Sequence, residues 1–249
     1  LARPASARGA TAYVTLEPCS THGRTPPCTK ALIEAGLRRV VLGATDPNPA
    51  HRGRGHRILR RAGLEVTAGV LADECATLNP EFHHTMTTGL PWVIAKCGMS
   101  LDGRLTRPPG GGQWITSPAA RADAMRLRAE VDAILVGAGT VRADDPALTV
   151  RGLRGARQPC RAVWSPRGNI QATARLLHDE ASAQTIILRQ RSLRAALRSL
   201  ARRGIGRVLV EGGGHTLGCA VDGRLINEVV FYIAPLLAGG GVPATGGLG

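Results

Sequence analysis

Short runs of β-branched and apolar residues alternate along the chain with stretches in which apolar residues recur at helical spacing. This alternation predicts an α/β protein. In the first third of the chain, the predicted strands are Ala12–Leu16, Arg39–Gly43 and Leu64–Thr67. Thr25 is expected to cap a helix that opens with Pro26-Pro27 and ends at Gly36. A second helix is expected over Gly53–Ala62.

The alternation is interrupted by a polar stretch over Thr85–Pro91, where we expect a junction between a first domain, residues 1–88, and a second, residues 89–249. The same kind of alternation resumes beyond it, so the second domain is also predicted to be α/β. Its predicted strands are Trp92–Met99, Ala133–Gly137, Ala162–Trp164, Thr185–Leu188, Arg207–Val210 and Glu228–Ile233. Its predicted helices are Pro118–Arg128, Leu193–Arg202 and Thr216–Val221.

The net charge of +14, from 32 Lys and Arg against 18 Asp and Glu, raises the question of a nucleic-acid partner. Nearly all of this charge is arginine spread along the chain, because lysine occurs only as Lys30 and Lys96. Aromatic residues make up only 3% of the chain, whereas single-strand binders need stacking platforms. We therefore expect solvated arginines with a few phosphate contacts, and no nucleic-acid partner.

The length of the apolar runs and the spacing of the cysteines indicate in which cellular compartment the protein is expected. No apolar run approaches the length of a membrane span, so no membrane partner is expected. The six cysteines lack the spacing of a disulfide framework, which favours a reducing, cytoplasmic setting. The chain begins at Leu1 rather than Met, and we expect it to be a segment of a longer protein.

Two cysteines bracket a loop rich in proline and glycine, T-L-E-P-C-S-T-H-G-R-T-P-P-C-T-K, over Thr15–Lys30. Zinc deaminases of nucleobases carry H-x-E followed by P-C…C, in which one His and two Cys hold the metal and the Glu moves protons. Cys19 and Cys28 match the second half, with wider spacing than the usual P-C-x-x-C. Residues 1–18 contain no His, so no catalytic residue of the deaminase is retained.

Three further expectations concern these cysteines. Cys28 falls in the first turn of the predicted helix, where the helix dipole favours the thiolate form that binds zinc. His22 is an alternative third ligand, since it lies close to Cys19 in sequence. A purely structural interpretation, with both cysteines as buried thiols, also remains open.

A glycine cluster in the second domain indicates a phosphate site. Gly212-Gly213-Gly214 follows the predicted strand Arg207–Val210 and precedes a predicted helix. Backbone N–H groups at such a helix start can hold a pyrophosphate, and glycine lets it approach closely. The chain has no G-x-G-x-x-G, so a Rossmann interpretation lacks support.

Several motifs in order resemble the bifunctional riboflavin-biosynthesis deaminase/reductase family, the RibD type. The first is E-P-C-S-T-H-G-R-T-P-P-C. The others are K-C-G-M-S-L-D-G-R at Lys96–Arg104, Q-W-I-T-S at Gln113–Ser117, G-A-G-T-V-R-A-D-D-P-A-L-T-V-R at Gly137–Arg151 and V-E-G-G-G at Val210–Gly214. Together they span almost the whole chain.

The resemblance implies a fold and two reactions. The first domain would be a truncated three-layer domain like cytidine deaminase, with zinc, that removes an exocyclic amine from a diaminopyrimidinone bearing a phosphoribosylamino group. The second would resemble dihydrofolate reductase in fold and use NADPH to reduce that ribose to a ribityl chain. Association into a homo-oligomer through the reductase domain is also implied.

The resemblance further implies site residues. Zinc ligands would be Cys19 and Cys28, with a third ligand from an earlier helix. NADPH contacts would be Gly98, Trp114, Thr140, Asp144, Ser165, Gly213, Gly214, His215 and Thr216. Substrate contacts would be Arg128, Leu148, Arg151 and Glu211, of which the arginines suit a phosphate. Asp102 is expected to cap a turn, and the Asp46–Pro49 stretch to shape a loop.

Three other functions remain open from the residues. The first is a reductase alone, with a relic deaminase domain. The second is an arginine-rich nucleic-acid-binding protein, whose binding would weaken with salt. The third is a zinc-structured scaffold, which does not account for the motifs of the second domain.

Overall fold

The structure is a computed structural model that describes residues 7–23, 25–107 and 114–247. The chain divides into two compact units, Leu1–Thr88 and Gly89–Gly249. The predicted Q-W-I-T-S motif begins at Gln113, which lies outside the described residues.

The first unit is built on a parallel sheet of three strands, β1 (Thr11–Leu16), β2 (Arg39–Ala44) and β3 (Glu65–Thr67), in that order. Val40, Leu42, Leu59 and Leu64 form its buried core. Around the sheet lie the helices α1 (Cys28–Glu34), α2 (Arg54–Arg61), α3 (Ala72–Thr77) and α4 (Pro80–Thr88).

The start of α1 differs from the prediction. Pro27 is the N-terminal cap of the helix, and no side chain caps it, so the expected role of Thr25 is wrong. Two prolines in succession fix the backbone dihedrals there, which makes a side-chain cap unnecessary for setting the start. The end agrees with the prediction, because Gly36 has a φ of 67° and donates its N–H to the carbonyl of Ile33.

The second unit is built on a six-stranded sheet in which every neighbouring pair is parallel. Its strands are β4 (Trp92–Ser100), β5 (Ala133–Gly137), β6 (Cys160–Trp164), β7 (Thr185–Leu188), β8 (Arg207–Val210) and β9 (Glu228–Ala234). Their order is β7-β6-β5-β8-β4-β9, so β5, β8 and β4 are neighbours in the interior of the sheet. The helices are α5 (Pro118–Ala129), α6 (Ala138–Asp144), α7 (Leu193–Ala201) and α8 (Gly214–Asp222), with short 3-10 turns at Arg175–Leu177 and Ser182–Gln184.

Both faces of this sheet are buried, as expected of parallel strands covered by helices. One apolar cluster joins the sheet to α7 and α8 through Leu197 and Leu217. A second cluster on the other face includes Val141 of α6 and Leu148, which follows that helix. The carboxyl ends of the central strands are therefore held between two packed layers.

The nine strands found in the described residues were all predicted within two residues of their observed ends. Helices α3, α4 and α6 were not predicted; α3 and α6 are short, and α6 contains Gly139, Thr140 and Val141, which are poor helix formers. The longest helix that the structure describes has 12 residues, and none in this part of the chain is long and apolar enough to cross a bilayer.

Candidate functional site

A cavity of about 130 Å³ opens towards the carboxyl ends of the three neighbouring interior strands β5, β8 and β4. Ligands of open α/β sheets commonly bind outside the carboxyl ends of the strands. The lining residues come from β4, from the segment after it, from α6 and from the glycine turn after β8: Lys96, Cys97, Gly98, Leu105, Thr140, Asp144, Glu211, Gly212 and Gly213. Five of the predicted site residues, Gly98, Thr140, Asp144, Glu211 and Gly213, thus meet in one place.

Glu211 lies in the wall of this cavity and is paired with Arg128 of α5. Two parallel hydrogen bonds join them, Nε to Oε1 at 2.9 Å and Nη2 to Oε2 at 2.6 Å. The side chains are only 7% and 12% exposed. Burial opposes ionisation of Glu211, but the hydrogen bonds from Arg128, with the charges of Lys96 and Arg128, outweigh it and hold its pKa below the ordinary value. The carboxylate is therefore ionised at neutral pH.

Lys96 is a cavity residue that the sequence analysis did not select. Its Nζ lies 5.7 Å from the centre of the Tyr232 ring. It is one of only two lysines in the chain and the only charged residue of its strand, which was the available signal. Its neighbour Cys97 is buried, and burial raises the pKa of that thiol to about 11, so the thiol stays neutral.

The start of α8 forms the glycine turn that was predicted to hold a pyrophosphate. The Gly213 N–H donates to Oγ1 of Thr140 at 3.0 Å, whereas the N–H groups of Gly214 and His215 have no acceptor among the described residues. A Cβ at Gly212 would lie 2.6 Å from Cβ of Thr216, so only glycine fits there. The turn thus offers free N–H groups at a helix start, which suits the pyrophosphate of NADPH.

The other predicted NADPH contacts do not line the cavity. Trp114 is 54% exposed and lies against Arg121, whose guanidinium carbon is 5.0 Å from its ring centre. Ser165 is buried, and its hydroxyl donates to Oδ1 of Asn169 at 3.2 Å. His215 stacks on Trp164 with ring centres 6.2 Å apart, which links the end of β6 to the start of α8. Thr216 is buried beneath the turn.

Two predicted substrate residues lie on the segment after α6. Leu148 is buried in the core and has a φ of 51°, an uncommon value for a residue with a side chain. Arg151 is exposed and has no acidic partner among the described residues. Its guanidinium is therefore available to an anion.

In the first unit the two predicted zinc ligands lie together. The Cys28 N–H donates to Sγ of Cys19 at 3.2 Å. The hydrogen bond between the two thiols raises the pKa of Cys28, with burial adding to the effect. The pair fits two of the three protein ligands of a catalytic zinc, but no third His, Cys, Asp or Glu joins them in the part of the chain that is described. His22 is exposed and is not part of such a group.

Glu17, two residues before Cys19, fixes the adjacent loop. Its buried carboxylate accepts hydrogen bonds from the N–H groups of Asp46, Gly53 and Gly55 at 2.9 to 3.1 Å. Asp46 in turn accepts from the N–H of Asn48 at 2.8 Å, as expected for a loop-shaping turn. Asp102 accepts hydrogen bonds from the N–H groups of Ala238 and Gly239, so it ties that distant segment to the chain that follows β4.

Comparisons with known families and proteins agree with the division of the chain into two units. The family model described as RibD C-terminal domain matches residues 91–249, and the model described as cytidine and deoxycytidylate deaminase zinc-binding region matches residues 2–44. Riboflavin biosynthesis protein RibD of Mycobacterium tuberculosis is 46% identical over 98% of this chain and 71% of its own length. The same protein of Bacillus amyloliquefaciens is 40% identical over 94% of this chain and 70% of its own length.

Solved structures give the same result. RibD of Acinetobacter baumannii has a TM-score of 0.83 at 39% identity, covering 96% of this chain and 72% of that one. A deaminase/reductase of Thermotoga maritima has a TM-score of 0.81 at 34% identity, covering 97% and 72%. With a family model over most of the second unit and relatives matched over more than two thirds of their length, the chain belongs to the RibD family of riboflavin biosynthesis enzymes, which join a deaminase to a reductase.

Proposed function

We propose that the unit Gly89–Gly249 binds NADPH and reduces the ribose of a phosphoribosylamino pyrimidine to a ribityl chain. The observation that supports this most strongly is the convergence of Gly98, Thr140, Asp144, Glu211 and Gly213 on one cavity. These residues belong to three separate motifs of the chain, and they meet at the edge of the sheet where ligands of such folds bind.

NADPH supplies the hydride when it is bound. The N–H groups of Gly214 and His215 would hold its pyrophosphate, and Thr140 would keep the turn in place through its bond to Gly213. Gly98 lines the cavity on β4, and the Thr116 side chain occupies the space where its Cβ would lie. The protein's main tasks are to orient the sugar carbon towards the cofactor and to exclude water.

Lys96 and Glu211 would act on the sugar. Both line the cavity, and the ammonium of Lys96 is close enough to lower the pKa of Glu211. Glu211 can accept a hydrogen bond from a ribose hydroxyl on the side away from Arg128. Lys96 can donate a hydrogen bond, and then a proton, to the ribose oxygen that is released as the ring opens.

Arg151, exposed and without an acidic partner among the described residues, is our candidate for the substrate phosphate. Charge-assisted hydrogen bonds of this kind contribute about 1.5–3 kcal/mol each. The buried Arg128 is engaged by Glu211, so its contribution to the substrate site would be to hold that carboxylate.

The test is the loss of NADPH absorbance when the 249-residue chain is mixed with the deaminated phosphoribosylamino pyrimidine. The Lys96→Met variant should lose most of the rate, about a hundredfold or more, since general acid catalysis contributes about 10²–10⁴. Its affinity for NADPH should change little. Turnover that survives Lys96→Met would remove Lys96 from the chemistry, and no turnover by the unaltered chain would refute the reductase proposal.

The first unit supplies Cys19 and Cys28 as two zinc ligands, and we propose that this 249-residue chain does not deaminate by itself. Residues 1–18 contain no His, so the H-x-E half of the deaminase signature, which would supply a third ligand and the proton carrier, is missing from the printed sequence. Ammonia release from the diaminopyrimidinone by the purified chain would contradict this. The alternative of a reductase with a relic deaminase would be supported if a polypeptide with the upstream residues also released none.

We further propose a cytoplasmic, homo-oligomeric enzyme without a nucleic-acid partner. The six free cysteines support the reducing compartment, the scattered arginines support the absence of a nucleic-acid partner, and the homo-oligomer rests on the family resemblance alone. DNA binding that weakens steeply with salt, in a chain that does not bind NADPH, would favour the nucleic-acid alternative.

A further inference from the structure

The segment between α6 and Arg151 has no regular secondary structure, yet it is tightly held. Leu148 and Val150 are 3% and 6% exposed. Leu148 has a positive φ, a conformation that persists in a residue with a side chain only where its surroundings fix it. The hydrogen bonds of the neighbouring backbone groups show what fixes it.

Two buried arginines donate hydrogen bonds to the backbone carbonyls of the residues on either side of Leu148. Arg161 of β6 is 1% exposed, and its Nη1 donates to the Ala147 carbonyl at 3.0 Å. The same guanidinium donates two hydrogen bonds, of 2.6 and 2.8 Å, to the carboxylate of Asp179. Its charge is therefore balanced and its side chain is held in one position. Arg128 donates from Nη1 to the Thr149 carbonyl at 2.9 Å while its other nitrogens hold Glu211. The segment is thereby tied to the cavity wall.

Gln158 forms two hydrogen bonds with the backbone of the next residue, Val150. Its amide oxygen accepts from the Val150 N–H at 2.8 Å, and its Nε2 donates to the Val150 carbonyl at 3.0 Å. This pair of bonds resembles the N–H and C=O pairing of residues on neighbouring β-strands. It fixes the peptide groups on both sides of Val150, the residue directly before Arg151. Gln158 itself is exposed, so its side chain is not needed to fill the core.

We propose that Gln158 is a positioning residue of the reductase unit, which sets the direction of Arg151 towards the substrate phosphate. The inference rests on the proposed function, because Arg151 is the phosphate contact there. Gln158 completes a frame in which Arg161 and Arg128 hold residues 147 and 149 and Gln158 holds residue 150. Arg151 is the first residue after that frame, and Gly152, with a φ of 76°, turns the chain away behind it.

The test is calorimetric titration of the 249-residue chain with ribose 5-phosphate and, separately, with NADPH. Gln158→Ala should weaken ribose 5-phosphate binding on the order of tenfold, because a small displacement of a binding group is costly. NADPH affinity and melting temperature should stay near those of the unaltered chain. Gln171→Ala, which removes an exposed glutamine without such bonds, is the matched control and should change neither affinity.

The double variant Gln158→Ala with Arg151→Ala shows whether Gln158 acts through Arg151. If it does, the double variant should bind ribose 5-phosphate no more weakly than Arg151→Ala alone. Additive losses, an unchanged affinity in Gln158→Ala, an equal loss of NADPH affinity, or no ribose 5-phosphate binding by the unaltered chain would each overturn the proposal. Binding as expected without any NADPH-dependent reduction would refute the proposed function and leave the positioning role standing.

Discussion

At the scale of single residues, two buried arginines serve different ends in the second unit. Arg128 pairs with Glu211 in the wall of the cavity, whereas Arg161 of β6 pairs with Asp179, which follows the 3-10 turn Arg175–Leu177. Each guanidinium is paired with a carboxylate and also bonds backbone carbonyls, so neither is left as an uncompensated buried charge. These buried guanidinium groups thus hold irregular backbone near the site through hydrogen bonds to its carbonyl groups.

The Arg128–Glu211 pair gives a prediction about stability. Arg128→Ala should lower the free energy of unfolding by about 3–5 kcal/mol, because it leaves a buried carboxylate without its partner. Urea unfolding of the second unit measures this. Arg126→Ala, on the exposed face of the same helix, is the control and should stay within about 0.5 kcal/mol. A small loss in Arg128→Ala would mean that water replaces the arginine.

The lowered pKa of Glu211 gives a prediction about pH. A carboxyl whose folded pKa lies below its unfolded value, about 4.3, stabilises the fold above that value and loses the contribution as pH falls through the folded pKa. Glu211→Gln should therefore show a flatter decline of unfolding free energy below pH ~4 than the unaltered chain. Glu130→Gln, an exposed replacement in the same unit, should keep the original slope. Parallel curves for Glu211→Gln and the unaltered chain would contradict the pairing.

At the scale of elements, the start of α8 sets the shape of the cofactor site. Strand β8 ends at Val210, Gly212 packs on Thr216, and Gly214 packs against the Pro243 carbonyl, all without room for a Cβ. Thr216 also fills the space beside Gly137 at the end of β5. Three glycines and one threonine thereby bring a helix start against the ends of two strands.

Gly212→Ala should disturb this packing and weaken NADPH binding. The new methyl group would meet the Thr216 side chain at 2.6 to 2.9 Å, and overpacking of this kind costs about 1–3 kcal/mol. The KM for NADPH and the melting temperature measure the effect. Gly240→Ala is the matched control, because a Cβ there meets nothing within 4 Å and its φ is not positive. If both variants behaved like the unaltered chain, the turn would not define the cofactor site.

At the scale of the whole molecule, the two units have separate cores and separate sheets. The cavity is built entirely from the second unit, and the thiol pair entirely from the first. Each proposed ligand should therefore act on one unit only.

NADPH should raise the melting temperature of one calorimetric transition, that of the second unit. At a concentration a hundred times its Kd, a ligand stabilises the folded state by about 2.7 kcal/mol. Gly212→Ala should reduce the shift, whereas Cys19→Ser should leave it unchanged. A shift that Cys19→Ser abolishes would show that NADPH binding depends on the first unit.

The sequence was informative where short-range patterns decide the structure. Strands were found from apolar runs, and the end of α1 was found from Gly36. Thr25 was wrongly assigned as a cap because Pro26 and Pro27 already fix the backbone. The short helix α6 was missed because its stability comes from packing of Val141 and Ala138 in the core rather than from helix propensity. Local signals are weakest where tertiary contacts do the stabilising.

The features of the candidate site also separate into those that local sequence motifs predict and those that depend on tertiary contacts. Sequence alone determined the family resemblance, the two zinc-type cysteines, the glycine turn and most of the cavity wall, because ordered motifs carry these. Only the tertiary structure decided that Arg128 is held by Glu211, 83 residues away, that Lys96 joins the cavity, and that Trp114 and Ser165 do not line it. Those outcomes depend on which strand ends become neighbours in the sheet, and a contact between distant residues has no signature in the local pattern of the chain.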